Sequence, residues 1–203
     1  MPNDKGVIVV LSGPSGAGKD TVLKKILKKS EKISLSISVT TRKPREDECN
    51  GRNYHFISRN LFEKMVQNNE MLEYVEYCGN YYGTPYKPID ELTRNGVDVI
   101  LKIEVKGGRQ VKKLCPEAVH IFVLPPSFKE LETRLQIRGT ETNEAMNERL
   151  KIAKKEISAA LQYDYIVINK DSNQCAEDIF EIIQVEKLRA KRMEHTIKVL
   201  IDA

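Results

Sequence analysis

A short glycine-rich segment near the start of the chain holds the residues with the clearest chemical meaning. Gly13, Gly18 and Lys19 have the spacing G-x-x-x-x-G-K, in which glycines let successive backbone N–H groups point toward an anion. The lysine adds a point charge for the outer phosphates, and the positive end of a following helix strengthens the attraction. We therefore predict a site for the phosphates of a nucleotide. It comprises Gly13, Pro14, Ser15, Gly16, Ala17, Gly18, Lys19, Asp20 and Thr21.

The segments on either side of this loop are those that must position it. Before it, residues 7–11 are continuously apolar and mostly β-branched, as expected of a strand that is buried on both faces. After it, the apolar pairs Val22–Leu23 and Ile26–Leu27 recur at helical spacing, with lysines on the opposite side. Glycines also close ordinary strand-to-helix turns, but the order of strand, loop, lysine and helix favours the phosphate site.

Composition and charge narrow the class of protein. At 203 residues, with 40% hydrophobic and 31% charged residues, the chain can form one domain with a sizeable core. The net charge of +4 fits anionic small-molecule substrates and gives little support to nucleic-acid binding. No stretch approaches the ~20 apolar residues of a membrane span, and no signal-peptide pattern opens the chain. The four scattered cysteines predict reduced thiols in a cytoplasm, without zinc or a disulfide framework.

Hydrophobic patterning predicts alternating strands and helices, and hence an α/β fold with a mainly parallel sheet covered on both faces. Strands are expected at 6–11, 35–39, 53–57, 72–77, 97–104, 119–124 and 164–169. Helices are expected at 18–30, 59–69, 87–95, 106–114, 127–138, 143–161 and 174–199. Residues 35–86 are short and mixed in pattern, which indicates an insertion with its own small sheet. The charged segment 128–155 is interpreted as a mobile cap.

The insertion contains residues suited to a second phosphate group. Arg42 and Arg45 follow a run of hydroxyl residues, and Tyr54 and Tyr82 lie further along. Arginine offers forked donors to phosphate oxygens, and tyrosine adds hydrogen bonds. Taken alone, the two arginines would more often be ordinary surface charges.

The order and spacing of these segments resemble the guanylate kinase family over nearly the whole chain. The segments that carry the resemblance are GPSGAGK at 13–19, SISVTTRKPR at 36–45, the NG-x-x-YHF segment at 50–56, E-x-x-E at 70–73, GNYYGT at 79–84, RGTET at 138–142 and Ile168–Asn169. The resemblance implies a P-loop NTPase-type parallel sheet core flanked by helices, an inserted small α+β GMP-binding subdomain, and a helical lid. It implies a single domain over 1–203, with the core at 5–34, 93–127 and 156–203, the GMP-binding subdomain at 35–92 and the lid at 128–155.

The resemblance also implies an activity and roles for individual residues. The expected reaction is phosphoryl transfer from ATP to GMP, and to dGMP, with Mg²⁺ as cofactor, in a cytoplasmic monomer or homodimer that has no nucleic-acid or membrane partner. The ATP site is expected to include the loop residues given above and Asn169. The GMP site is expected to comprise Ser38, Arg42, Arg45, Tyr54, Glu73, Tyr82, Thr84 and Glu104. The expected catalytic residues are Lys19, Arg42, Arg134, Arg138 and Arg149.

Glu73 is the residue that the resemblance places opposite the guanine base. A carboxylate accepts both the N1–H and the 2-amino group of guanine, two donors that adenine does not present there. Acceptors left unpaired would penalise adenine, so Glu73 can discriminate between the bases. Without the family pattern, Glu73 would be interpreted as a surface charge on an edge strand.

The expected lid contains arginines that the resemblance places over ATP. Arg134 and Arg138 are four residues apart, so a helix would present both on one face. Ion pairs with Glu141 and Glu148 are the alternative role for these arginines. Lid closure would exclude water and prevent wasteful hydrolysis of ATP.

Two positions of opposite charge depart from the family pattern. After the P-loop lysine a Ser or Thr normally binds Mg²⁺, and this chain has Asp20 followed by Thr21. Where the family usually has acid, aspartate and glutamine, this chain has Lys102, Glu104 and Lys106, which strand alternation would place on one face.

We hypothesise that Asp20 and Lys102 form an ion pair, which moves one acidic group from the strand to the loop. Asp20 or Thr21 is then the candidate metal residue, acting mostly through water. A separation of the two charged side chains above about 8 Å would exclude the pairing. If they do not pair, the two changes are expected to lower activity or alter the metal preference.

Two other functions remain compatible with the sequence. One is a catalytically weak guanylate-kinase-like module that binds a protein partner, although such domains usually degrade the P-loop. The other is a P-loop kinase for another phosphorylated metabolite, such as a ribose bisphosphate, against which the tyrosine, serine and Glu73 set argues.

Overall fold

The computed structural model describes residues 5–77, 79–137 and 143–202 of the chain. Its strands are β1 (Ile8–Ser12), β2 (Ile33–Leu35), β3 (Val39–Thr40), β4 (His55–Phe56), β5 (Met71–Tyr77), β6 (Asn80–Pro85), β7 (Asp98–Lys102), β8 (Val119–Leu124) and β9 (Tyr165–Ile168). Its α-helices are α1 (Lys19–Ile26), α2 (Arg59–Gln67), α3 (Tyr86–Arg94), α4 (Val105–Leu114), α5 (Phe128–Ile137), α6 (Asn143–Ser158), α7 (Ser172–Glu186) and α8 (Glu194–Ile201). Short 3₁₀ helices lie at Ala160–Gln162 and Ala190–Met193.

The larger sheet has five parallel strands in the order β2-β7-β1-β8-β9. Every residue of β1 is buried because both faces of the sheet are covered. Val9 and Leu11 pack with α1 and α7 on one face, whereas Ile8 and Val10 pack with α3 and α4 on the other. The predicted α/β fold with a parallel sheet flanked by helices is therefore confirmed.

Parallel pairing brings the loops after β1 and β7 together at one edge of the sheet. Leu11 of β1 is in register with Lys102, the last residue of β7. The Ser12 hydroxyl also donates to the Ile103 carbonyl at 2.8 Å, which ties the two strand ends together. The glycine-rich loop and Lys102 are neighbours for this reason.

The second sheet lies in the predicted insertion and has the order β4-β3-β6-β5. β5 and β6 are antiparallel, and their register places Glu73 opposite Thr84. Gln110 of α4 fixes β5 to the core, because its amide bonds the Tyr74 N–H at 3.2 Å and the Tyr74 carbonyl at 2.8 Å. The small sheet is thus attached to a helix that packs on the large one.

Several expectations about elements were wrong or incomplete. The strand expected at 97–104 ends at Lys102, and Glu104 is instead the N-cap of α4. Lys106 lies on α4, so residues 102, 104 and 106 do not share one strand face. The helix expected at 174–199 ends at Glu186. β6 was not expected, because its polar and glycine-containing sequence lacks the apolar alternation of a half-buried strand.

The helices and strands of the structure agree only in outline with the predicted division of the chain into core, subdomain and lid. Strands β3 to β6 and helix α2 fall within the predicted subdomain 35–92, and α5 falls within the predicted lid 128–155. Helix α3 spans the predicted boundary near residue 92, and its Ile89 is part of the core beside β7. The division itself stays a prediction. Among the described residues, none of the helices combines the length and apolar composition that crossing a membrane requires.

Candidate functional site

The glycine-rich loop has the backbone conformation that only glycine adopts easily. Gly18 is the N-cap of α1 with φ 87°, and a Cβ there would lie 2.4 Å from Asn169 Nδ2. A Cβ on Gly13 would lie 2.3 Å from the Val123 carbonyl oxygen, with φ 151°. The loop packs this tightly because its backbone must pass between β8 and the end of β9. Side chains larger than hydrogen are excluded at both positions.

The side chain of Lys19 folds back over the loop that precedes it in the chain. Its Nζ donates to the carbonyls of Gly13 at 2.5 Å and Pro14 at 3.0 Å. Burial lowers the pKa of Lys19 to about 8, although the nearby carboxylates of Glu156 and Asp20 act in the opposite direction. An arriving phosphate would stabilise the cationic form, so the lysine is prepared to bind an anion at the N-terminus of α1.

A cavity of about 460 Å³ joins the loop to the insertion. It is lined by loop residues that include Lys19, by insertion residues that include Arg42 and Glu73, and by the segment after β7. The predicted residues in its lining are Gly13, Ser15, Gly16, Gly18, Lys19, Asp20, Ser38, Arg42, Arg45, Tyr54, Glu73, Tyr82 and Glu104. The two halves of the predicted site, residues 13–20 and residues between 38 and 104, therefore face one space.

A larger groove of about 770 Å³ runs along β9 and α7. Its walls are aliphatic residues of β9 together with Asp171, Asp178 and Glu181. This lining offers no cationic cluster to an anion, in contrast to the cavity beside the P-loop. Volume alone does not identify the functional site, and chemistry favours the smaller cavity.

Arg42 is the best-positioned cation of the insertion. Its guanidinium donates to both carboxylate oxygens of Glu48, each at 2.8 Å, and lies over the rings of Tyr54 at 5.6 Å and Phe56 at 5.7 Å. The pKa of Arg42 is raised chiefly by its hydrogen bonds with Glu48. The Arg42 hydrogen bonds hold the pKa of the Glu48 carboxyl at about 2.

Sequence reasoning missed Glu48, which also accepts a hydrogen bond from the backbone of Arg45 at 2.9 Å. A carboxylate six residues after Arg42 is an ordinary surface feature in sequence. Only the folded turn brings its forked oxygens to the forked donors of the guanidinium. Glu48 orients the arginine that the sequence assigns to a phosphate.

The predicted guanine-recognition residues form a connected buried group. Glu73 is 4% exposed, and the Thr84 hydroxyl donates to its Oε1 at 2.6 Å. The Ser38 hydroxyl lies 3.4 Å from that of Thr84. Burial raises the pKa of Glu73 to about 7, while the Thr84 hydrogen bond acts in the opposite direction. The alternative of an exposed edge-strand charge is wrong for Glu73.

Gly107 of α4 is a second residue that sequence reasoning did not assign. A Cβ at this position would lie 2.3 Å from Glu73 Oε2 and 3.0 Å from its Cδ. The glycine therefore leaves room for the carboxylate between the small sheet and α4. A glycine inside a predicted helix is the signal in the sequence.

We expect Gly107→Ala to raise the KM for GMP by about tenfold while leaving the unfolding temperature within a few degrees. Alanine favours the helix by about 0.5–1 kcal/mol, but its methyl group forces the end of Glu73 to move. Steady-state kinetics and thermal unfolding measure the two effects. Lys106→Ala, on the exposed side of the same helix, is the control; an unchanged KM in Gly107→Ala would mean that Glu73 adjusts without loss.

The predicted lid arginines differ in their surroundings. Arg134 Nε donates to Glu130 at 2.9 Å, and its Nη2 lies 3.4 Å from the Asn169 carbonyl. Arg149 is exposed on α6. Arg138 lies outside the described residues, as does Glu141. The partner of Arg134 is thus Glu130, one turn earlier on α5, and Glu148 pairs with Lys151 at 3.8 Å.

Asn169 braces the P-loop. It is 4% exposed, and its side-chain amide donates to the Ala17 carbonyl at 2.8 Å. Contact of Asn169 with an adenine base stays a prediction. The hydrogen bond instead explains why the residue after β9 is an amide, since it fixes the loop conformation.

The hypothesised ion pair between Asp20 and Lys102 is confirmed. Lys102 Nζ lies 2.6 Å from Asp20 Oδ1, across 82 residues of sequence. Glu104 lies beyond Lys102, where it is exposed and lines the cavity as the N-cap of α4.

The donor set fits Mg²⁺ bound chiefly through a substrate. The carboxylates of Asp20, Glu104 and Glu156 line the cavity, and burial raises the pKa of Glu156, which sequence reasoning did not assign. Within the described ranges no group of three potential ligands is close enough to hold a metal alone. Mg²⁺ characteristically uses one or two carboxylates together with phosphate oxygens and water. Asp20 is the better placed candidate, because it lines the cavity and Thr21 does not.

A parallel sheet with this loop after its first strand, facing an arginine and carboxylate pocket, defines a P-loop kinase of small phosphorylated substrates. Residues 5–186 match the family model described as guanylate kinase. The guanylate kinases of Carboxydothermus hydrogenoformans and Clostridioides difficile are each 47% identical over 193 residues, covering 95% of this chain and 95% and 94% of theirs. The chain belongs to the guanylate kinase family.

Solved structures agree with this assignment. The crystal structure of guanylate kinase from Anaplasma phagocytophilum superposes with a TM-score of 0.80 at 35% identity, covering 97% of this chain and 94% of that one. TT1252 from Thermus thermophilus has a TM-score of 0.50 at 13% identity, which shows a similarity of fold alone.

Proposed function

We propose that this protein transfers the γ-phosphoryl group of ATP to GMP, and also to dGMP, giving ADP and the nucleoside diphosphate. The observation that carries the proposal is the shared cavity, in which the P-loop lysine Lys19 and the buried Glu73 face one space. A donor phosphate chain on one side and a guanine on the other would meet in it. The reaction is assigned to the cytoplasm, in keeping with an exposed free thiol at Cys49.

The acceptor phosphate is assigned to Arg42 and Arg45, with Tyr54 and Tyr82 as further donors. Glu48 already holds the Arg42 fork in a fixed orientation, so less side-chain entropy is lost when the phosphate binds. The phosphate approaches Arg42 from the cavity, which Tyr54 and Tyr82 also line. The result is an acceptor oxygen directed toward the P-loop.

The guanine base is assigned to Glu73, Thr84 and Ser38. An ionised Glu73 accepts from N1–H and from the 2-amino group, while Thr84 keeps the carboxylate in place. Adenine would leave the same buried carboxylate unpaired. This difference amounts to several kcal/mol, or about 10²–10⁴-fold in kcat/KM.

The donor phosphates are assigned to the P-loop amides and Lys19, with Arg134 closing from α5. Phosphoryl transfer needs little covalent help from a protein, so these residues act by alignment and charge neutralisation. Mg²⁺ would be held by Asp20 together with the phosphates, and when bound it neutralises their negative charge. Asn169 holds the loop rigid while the charge redistributes.

An acceptor-competition assay tests the proposed function. ADP release from ATP and Mg²⁺ is followed with GMP, dGMP, AMP, UMP or CMP as acceptor. We expect turnover with the guanine nucleotides and at least about 10²-fold lower kcat/KM with AMP. Equal use of the bases would contradict guanine selection. Tight GMP binding without turnover would indicate a binding module, and turnover only with another phosphorylated metabolite would indicate a different kinase.

The pH dependence of kcat/KM for GMP provides a second prediction. Glu73, with a pKa near 7, must be ionised, and Lys19, with a pKa near 8, must be protonated. With ATP well below saturation, so that bound phosphates do not hold Lys19 protonated, we therefore expect a narrow optimum between these values, with about a tenfold loss per pH unit on either side. The acidic limb should be absent from Glu73→Gln. An acidic limb that persists in this variant would belong to a different group.

A further inference from the structure

Lys102 lies at the junction between the two halves of the cavity. It ends β7 beside β1, and the hydrogen bond from Ser12 to the Ile103 carbonyl fixes the backbone there. Its side chain crosses to Asp20 on the first turn of α1 and lines the cavity together with Lys19. A cation therefore lies where the sequence pattern of the family has an acid.

The charge of Lys102 acts on both halves of the site. Burial lowers the pKa of Lys19 on the donor side, and the Lys102 charge is one of the causes that lower it further. Burial raises the pKa of Tyr54 on the acceptor side, and the Lys102 charge opposes that rise. Lys102 is thus within electrostatic reach of both the donor lysine and the acceptor tyrosine.

The ion pair between Lys102 and Asp20 is weak enough for Lys102 to leave Asp20 for another anion. The side chains of Lys102 and Asp20 are 33% and 59% exposed, and ion pairs this exposed contribute only about 0–1 kcal/mol. A phosphoryl group in transit is an anion whose charge is spread over three oxygens, so it offers Lys102 an alternative partner to the Asp20 carboxylate. Lys102 can move from Asp20 to that group without a large penalty.

We propose that Lys102 donates a hydrogen bond to the phosphoryl group during its transfer and that Asp20 is the residue that positions Lys102 for this contact. The phosphorus leaves the bridging oxygen of ATP, which keeps the electron pair as ADP, and bonds to an oxygen of the GMP phosphate. Lys102 stays protonated throughout and supplies charge only. This inference rests on the proposed function.

The competing role for Lys102 is simple neutralisation of Asp20, whose carboxylate would otherwise repel the donor phosphates. The two roles separate in a double-mutant cycle. If Lys102 acts on the phosphoryl group, its loss matters even when residue 20 is uncharged. If it only neutralises Asp20, Asp20→Asn makes Lys102 dispensable.

The cycle compares Lys102→Met, Asp20→Asn and the double variant, with the kcat of the wild type measured first. We expect Lys102→Met to lower kcat by about 10–10²-fold when Asp20 is present and by a smaller factor, still at least about threefold, in Asp20→Asn, where the positioning ion pair is lost. The calorimetric affinities for ADP and for GMP should stay within about threefold. Lys102→Arg should recover most of the loss. Lys198→Met, which breaks an exposed 2.7 Å ion pair with Glu194 on α8, is the matched control and should leave kcat unchanged.

A binding measurement complements the kinetics. Fluoroaluminate, added with ADP, Mg²⁺ and GMP, takes the place of the phosphoryl group in transit, and its complex should weaken in Lys102→Met by the same factor as kcat. Equal kcat values for Asp20→Asn and the double variant would overturn the proposal, as would an unweakened fluoroaluminate complex or a Lys102→Arg as slow as Lys102→Met. Absence of GMP-dependent ADP release from the wild type would contradict the proposed function instead.

Discussion

We expect Lys19→Met to lower the kcat for GMP phosphorylation by about 10³-fold, the largest loss from a single substitution in the donor half. Methionine keeps the length of the side chain but removes the charge and the two hydrogen bonds to the loop carbonyls. The charge acts on phosphates whose negative charge must be neutralised during transfer. The affinity for GMP, which binds across the cavity, should change by less than about threefold.

The same substitution should not destabilise the fold. Burial lowers the pKa of Lys19 to about 8 from 10.5, so at pH 7 the folded state holds a cation that it disfavours relative to the unfolded chain. Removing that charge should raise the free energy of unfolding by about 1–2 kcal/mol below pH 8. Activity loss with a raised unfolding temperature therefore identifies a functional residue.

Lys24→Met is the control for Lys19→Met, because Lys24 is an exposed lysine on the same helix. It should leave kcat and unfolding temperature near the wild-type values. A loss of activity in Lys24→Met comparable to that of Lys19→Met would mean that the overall charge of α1, rather than the P-loop lysine, drives catalysis.

We expect Glu73→Gln to lower kcat/KM for GMP by about 10²–10⁴-fold and to remove most of the preference over AMP. The amide offers one acceptor and one donor, so it cannot pair with both guanine donors. Thr84, which donates to Glu73 at 2.6 Å, can still donate to the amide oxygen. The geometry of the pocket is therefore retained while its specificity is lost.

The stability of Glu73→Gln should change in the opposite direction from its activity. Burial raises the pKa of Glu73 from 4.5 to about 7, so ionisation costs the folded state stability as pH rises from about 4.5 to 7. Above pH 7 this penalty is about 3 kcal/mol at most. Glu73→Gln should therefore raise the free energy of unfolding by about 1–3 kcal/mol at pH 8 and very little at pH 4.

Glu76→Gln on the same strand is the matched control, because Glu76 is exposed. Urea unfolding at pH 4 and pH 8, together with kinetics for GMP and AMP, measures both effects. If Glu73→Gln lost stability at pH 8, the carboxylate would contribute to the stability of the fold. If Glu73→Gln still preferred GMP over AMP, Glu73 would not be the residue that recognises the base.

The P-loop was predictable from sequence because its determinants are local. The apolar run before Gly13 requires a buried strand, and Lys19 marks the start of a helix within one short segment. The ion pair between Asp20 and Lys102 was predictable for a different reason. Two departures of opposite sign from one pattern suggested that they compensate each other, and the sheet register places them together.

Other features depended on contacts that no local pattern records. Glu104 caps the start of a helix instead of continuing β7. Its backbone is extended, but the residues from Val105 to Leu114 that follow it are helical. Gly107 reveals its role only when α4 is placed against Glu73. Glu48 likewise acquires a role only through the turn that brings it to Arg42.

The sequence by itself determined the class of fold, the position of the phosphate loop and, through the resemblance, the family to which this chain belongs. These follow from short-range spacing and from periodic burial, which a linear pattern contains. Tertiary structure alone decided that Glu73 is buried, that Glu48 holds Arg42, and that Asn169 braces the loop. Burial and hydrogen-bond partners arise between elements far apart in the chain, and their energies depend on distances that the sequence does not state.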